Sequence, residues 1–201
     1  MRHPLVKTII FLLCLLPAVL LVSNLFLDQL GANPFEEFTR RSGEWTLRFL
    51  LIVLAITPLR KLTKQNWLMA YRRMLGLYAY FYACFHLLTY LWFDQFFDWQ
   101  EIYTDIVKRP FITVGILAFI LLTPLAITST NYWMRRLGNR WKQLHQLVYV
   151  ISILGILHFI WLVKADLRTP LIYAGILSIL LGYRVLSGRR FSKNASLSRA
   201  G

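Results

Sequence analysis

The sequence predicts an all-α membrane protein: a six-transmembrane-helix bundle with both termini cytoplasmic. Three observations carry that expectation. Of the 201 residues, 57% are apolar, against about 45–50% in a soluble domain. The apolar residues gather in runs of roughly membrane length. The Lys and Arg residues gather between those runs, heavily in every second loop.

A crossing takes about 20 mostly apolar residues. Six segments serve: 5–27, 45–59, 75–93, 111–127, 141–163 and 171–186. The first follows Arg2 and Lys7 as a signal peptide would. Its run is too long for that, and no A-x-A site follows, so it reads as an anchor. The second is short unless its flanks count. Arg48 and Arg184 lie near the ends of their spans, where a long side chain reaches the head groups. Between the third and fourth spans, DQFFDWQEIYTDIV sets Phe96, Trp99, Tyr103 and Ile106 at helical spacing, as in a short helix lying on the outer leaflet. Residues 188–201 form a polar, basic tail expected to be disordered. Residues 1–187 are then the one membrane domain.

Charge sets the orientation. The N-terminus, the 60–74 and 128–142 loops and the tail, together with Arg184 at the end of the last span, hold sixteen of the 23 Lys and Arg residues and none of the nine acids. An excess of Lys and Arg marks the cytoplasmic side. The net charge of +14 is therefore that of membrane loops facing lipid and cytosol, and no nucleic-acid partner is expected. The seven tryptophans all fall near span ends, as an aromatic belt does. Cys14 and Cys84 lie inside apolar runs and read as small core residues, with no bridge or metal motif.

A faint internal echo runs along the chain. LAITPL at 54–59, RRMLG at 72–76 and His86 compare with LLTPL at 121–125, RRLG at 135–138 and His145. The spacings differ, so the echo suggests two related hairpins, spans two–three and four–five.

Chemistry points to three histidines. His86 lies in the third span, and His145 and His158 lie thirteen residues apart in the fifth. Polar groups at membrane depth are costly and usually functional. His86 and His158 share a level in the outer half, on different helices. Two neutral imidazoles facing each other across a bundle suit axial ligation of a haem iron. Zinc would want four ligands, and no cysteine or acid lies at that depth. His145 and His158 are about 20 Å apart along a helix and about 140° apart around it; Gly155 is a place where the helix could distort. His145 has no histidine partner. Arg72 and Arg73, at the inner end of the third span, suit a propionate or phosphate. The inner site is a one-histidine haem, a flavin or quinone pocket, or a hydrogen bond only. Arg48 is a candidate propionate partner or an ordinary interfacial arginine.

RRMLG ahead of a third-span histidine, then RRLGNRWKQLHQLVY and a histidine thirteen residues later, resemble the ferric-reductase-like transmembrane domain. GANPFEEFTRRSGEWTLRFLLIVLAITPLR, LGNRW and KADLRTPLIYAG are similar to the MsrQ (formerly YedZ) family of haem-binding membrane subunits, over roughly residues 5–187. The resemblance implies a cytochrome of the bacterial inner membrane with one or two haem b groups, associated with FMN. Electrons would pass from a quinol, or from a soluble flavin reductase, to a periplasmic molybdopterin-containing methionine sulfoxide reductase subunit that repairs oxidised proteins. By position, His86 and His158 would be the outer axial pair and His145 the inner ligand. Larger ferric reductases have a second histidine on the third-span helix, where this chain has Arg72 and Arg73. They also carry a nicotinamide module, yet no G-x-G-x-x-G follows a strand here. Two other readings stand beside this one: a stand-alone metal or quinone reductase, and a small transporter or proton channel with a histidine relay.

Overall fold

The structure is a computed structural model that describes the backbone of residues 4–163 and 166–197 and the side chains of 5–163 and 166–187. Every regular element among the described residues is helical. In chain order they are α1 (Pro4–Phe26), α2 (Pro34–Thr63), α3 (Arg72–Thr89), α4 (Trp99–Lys108), α5 (Pro110–Ile127), α6 (Asn131–Leu137), α7 (Asn139–Leu144), α8 (Leu147–Leu162) and α9 (Arg168–Leu197). A 3-10 turn (Asn66–Ala70) leads into α3, and a π-helical turn (Tyr90–Asp94) extends it.

Five stretches are long and apolar enough to cross a membrane: Leu5–Phe26, Arg72–Asp94, Pro110–Ile127, Asn139–Leu162 and Arg168–Ser187. The chain is therefore a multi-pass membrane protein. The expected second span, 45–59, is the middle of α2, which is not one of the five. That helix is 30 residues long, with Glu36 and Glu37 in its first turn and Arg60 and Lys61 in its last. Its start is set by Asn33, whose side chain accepts from the Glu36 N–H, and by Pro34 in the first turn. α2 is the helix around which the others assemble. Leu47, Phe49, Leu50, Leu51 and Leu54 are buried, and α2 packs on α1, α3, α8 and α9.

The outward faces are apolar. Leu12, Leu13, Leu16 and Leu20 of α1, and Ile172, Ile176 and Ile179 of α9, are exposed. In water such faces would drive aggregation; hydrocarbon is their matching solvent. α1 is tied to the bundle by an inserted hydroxyl. The Ala18 N–H donates to Tyr82 Oη (3.0 Å), and Tyr82 Oη donates to the Cys14 carbonyl (2.9 Å). The ordinary Ala18-to-Cys14 helix bond is thus bridged by a fully buried tyrosine, one residue past Pro17. Both cysteines are free, as expected.

Three expectations need correction. The fifth span is not one ideal helix. α7 ends at Leu144, and α8 starts at Leu147. Between them the amide of Gln146 bonds Gln143 O, that of Val148 bonds His145 O, and that of Tyr149 bonds Gln146 O. These three-residue steps tighten the winding, so the 140° offset between His145 and His158 does not apply. Gly155 is not the hinge either. A Cβ there would lie 2.8 Å from Leu47 Cδ2, so this glycine lets α8 press against α2. In the 94–109 segment Phe96, Trp99 and Tyr103 are exposed as expected, but Val107 rather than the half-buried Ile106 continues the stripe, while Ile102 and Asp105 turn inward. At the other end of the chain, α9 carries on through much of the basic tail to Leu197; residues 198–201 of that expected tail lie outside the described residues.

Candidate functional site

Two helical hairpins, α2–α3 and α5–α8, each deliver one imidazole to the same place. His86 of α3 sets Nδ1 2.8 Å from the Thr39 carbonyl oxygen on α2. His158 of α8 sets Nδ1 2.6 Å from the Phe111 carbonyl oxygen on α5. Each histidine stands 47 residues after its carbonyl. A ring nitrogen facing a carbonyl must carry the proton, which leaves the Nε2 lone pair of each ring unprotonated.

The sequence permits this approach through two glycines. One turn beyond each carbonyl stands Gly43 on α2 or Gly115 on α5. A Cβ on Gly43 would lie 3.0 Å from the His86 ring, and one on Gly115 would lie 2.8 Å from His158 Nδ1. Without a Cβ, the groove beside the preceding turn is open and a ring can lie against the backbone. The two rings end 6.0 Å apart between centres with planes at 78°. Both line a cavity of about 430 Å³. Neither Nε2 has a hydrogen-bond partner among the described residues. Each ring is fixed through Nδ1 to a carbonyl and keeps its Nε2 lone pair open, which is what a histidine metal ligand requires.

The cavity is apolar in its depth, at Leu50, Leu122 and Ile151, and polar at its mouth. That mouth belongs to the acidic end of the bundle. Arg40 bonds Glu37 and Glu44 there, and Arg41 also bonds Glu37. Burial works to raise the Glu37 carboxyl. The hydrogen bonds and charges of Arg40 and Arg41 outweigh it and hold the group below the usual carboxylate range.

His145 lies at the basic end, in the break between α7 and α8. Its ring stacks on Trp141 with centres 3.9 Å apart, and its Nδ1 is 3.1 Å from the Trp141 carbonyl. Nε2 is buried without a well-formed hydrogen bond, although the Leu125 carbonyl lies nearby. A second cavity, of about 440 Å³, opens here, and Arg72, Arg73 and Lys142 line it with His145. Arg73 is engaged, its Nη1 donating to Asn131 Oδ1 at 2.6 Å. The sequence grouping of Arg72, Arg73 and His145 is thus brought together.

Arg48 is not brought to either cavity. It donates through Nε to Tyr173 Oη (2.8 Å) and through Nη2 to Glu44 (2.7 Å), and it covers Trp45. The face of α2 that carries it turns toward α9, so the residue ties those two helices. Sequence reasoning missed Gly43 and Gly115. The signal was present: each histidine, its carbonyl and its glycine keep the same spacing in both hairpins. The proline-based echo had drawn attention to a different register.

Comparison with known proteins places the chain in a family. The model of the ferric reductase like transmembrane component matches residues 42–156. A protein-methionine-sulfoxide reductase heme-binding subunit MsrQ from Herminiimonas arsenicoxydans is 54% identical over 198 residues, spanning 96% of this chain and 91% of the relative. One from Xanthomonas campestris pv. campestris (strain 8004) is 60% identical over 166 residues, spanning 81% of this chain and 76% of the relative. A third, from Azospira oryzae, is 53% identical over 189 residues, spanning 93% and 81%. No solved structure matches. The matched region takes in Gly43, His86, Phe111 and Gly115 and stops two residues short of His158, and the relatives extend that likeness along nearly the whole chain: it belongs to the MsrQ family of heme-binding subunits of protein-methionine-sulfoxide reductases.

Proposed function

We propose that this chain is a b-type cytochrome subunit that passes electrons across the bacterial inner membrane to a periplasmic methionine sulfoxide reductase. The observation that carries the reading is the His86–His158 pair. Metal–imidazole bonds of about 2 Å, with roughly 1 Å from nitrogen to ring centre, put two rings on opposite sides of one metal about 6 Å apart. The 6.0 Å between the ring centres is close to that separation. The donor set suits haem iron, and the apolar depth of the cavity suits a tetrapyrrole.

A bound haem supplies one-electron chemistry, alternating between ferric and ferrous iron. The remaining work falls to the chain. Thr39 and Phe111 fix each imidazole through Nδ1–H and raise its basicity at Nε2. Gly43 and Gly115 set how deeply each ring sits. Leu50, Leu122 and Ile151 exclude water from the cavity floor.

The rest of the reading follows the charge. With the 60–74 and 128–142 loops inside the cell, α2 makes the sixth crossing and both termini are cytoplasmic. The cavity of His145, Arg72 and Arg73 then faces the donor side. There a buried imidazole nitrogen without a well-formed hydrogen bond, beside cationic side chains, would hold a second haem or the FMN that serves a quinol or a soluble flavin reductase. The acidic end faces the molybdopterin-containing partner. Liposomes holding the chain, with the partner and methionine sulfoxide inside and a quinol as donor, test the proposal. Sulfoxide should be consumed only when the chain is present; equal consumption without it defeats the reading.

A further inference from the structure

The mouth of the His86–His158 cavity carries two arginines, and they differ in what they have left to give. Arg40 uses Nε and Nη2 on Glu37 and Nη1 on Glu44. Arg109 has one ion-pair contact, Nε to Asp105 Oδ1 at 3.1 Å. Both of its Nη groups are without a hydrogen-bond partner among the described residues.

Asp105 is built to hold that guanidinium. Its side chain is 7% exposed. Its other oxygen accepts from Gln95 Nε2 at 2.7 Å and from Tyr90 Oη at 3.2 Å. Tyr90 and Gln95 come from the π-helical turn and the residue after it, a distortion that is frequent at functional sites. A buried carboxylate with two hydrogen-bond donors and one cationic neighbour costs free energy to bury. Here the arrangement fixes the direction of a single side chain that borders the cavity.

We propose that Arg109 binds a carboxylate of the tetrapyrrole held by His86 and His158, with Asp105 as its positioning residue. The proposal rests on the haem reading above and adds the group's orientation to it. The cavity has one polar end, so an amphipathic ring with carboxylates on one edge enters with that edge at the mouth. Two free Nη donors in a planar fork match a carboxylate. Glu36 and Asp94 line the same mouth. Their charges would repel an incoming carboxylate, which makes the arginine the group that decides. Arg48, the candidate the sequence offered, is occupied on α2 and α9.

The test is a cycle between protein and ligand on the purified holoprotein, loaded by exchange with either hemin or hemin dimethyl ester. Haem loss to apomyoglobin gives the dissociation rate. In the unaltered chain the ester should leave about tenfold faster than the free acid, as loss of a hydrogen bond between charged groups implies. In Arg109→Gln the acid should leave about tenfold faster than before, and the difference between acid and ester should shrink to near zero. Arg109→Lys should restore part of that difference. The midpoint potential should move to more negative values in Arg109→Gln, since a nearby positive charge is gone. An ester penalty of the same size in the unaltered chain and Arg109→Gln, both fully loaded, overturns the proposal. An unaltered chain that takes up no hemin would instead overturn the haem reading itself.

Discussion

His86 and His158 meet as equivalents: each reaches a carbonyl 47 residues behind it, across a glycine, and their rings come to rest 6.0 Å apart. One local device, used twice, makes a symmetric pocket from two hairpins. No third element is needed to aim either ring.

The glycines should be intolerant of even one methyl group. The virtual Cβ on Gly115 sits 2.8 Å from its imidazole and that on Gly43 sits 3.0 Å away. Gly115→Ala should therefore be the harsher change. Overpacking of this kind costs about 1–3 kcal/mol, enough to lower the haem-to-protein ratio several-fold. Equal haem content and an unshifted Soret band in both alanine variants would show that the rings are not held this way.

His145 should be separable from the pair. It lies at the other end of the bundle, against Trp141 and a cavity of its own. His145→Ala should leave the spectral signature of the His86–His158 centre in place and abolish reduction by the physiological donor. A variant that loses the outer signature together with donor reduction would mean the two sites are one.

Tyr82→Phe should act on stability alone. Removing the hydroxyl strands the Ala18 N–H and Cys14 carbonyl inside the bundle, at about 1–3 kcal/mol for a buried unsatisfied group. Thermal unfolding in detergent should shift down by several degrees with the absorption spectrum unchanged. No shift would indicate that α1 closes its own ladder.

The acidic end should soften at low pH. The folded Glu37 carboxyl is held below its ordinary range, so its contribution is complete above the ordinary glutamate pKa and is lost as pH falls through the depressed one. Stability should decline from about pH 5 downward. Glu37→Gln should flatten that part of the profile; an unchanged decline would place the titration elsewhere.

The helical class, five of the spans and the three histidines were legible because hydrophobic run length and buried imidazoles are local signals. α2 was harder to read. Its ends carry Glu36, Glu37, Arg60 and Lys61, which shorten its apolar run although it is the most central helix. Gly155 stood in the sequence only as a place where the helix could distort, because sequence shows flexibility but not neighbours; Leu47, over a hundred residues earlier, supplies the actual reason. The break at His145 is set by a ring stacked on Trp141 and by three-residue backbone bonds. An ideal-helix angle cannot anticipate it. Of Arg48 and Arg109, the sequence offered only Arg48 as a carboxylate partner. Which one borders the cavity depends on which face of each helix packs inward.

The most direct measurement is the reduced-minus-oxidised absorption spectrum of the purified chain, taken beside His86→Ala and His158→Ala. The unaltered chain should show the narrow bands of a six-coordinate, two-imidazole haem. Each single variant should lose them while remaining folded by circular dichroism. Bands that persist unchanged in both variants would contradict the account.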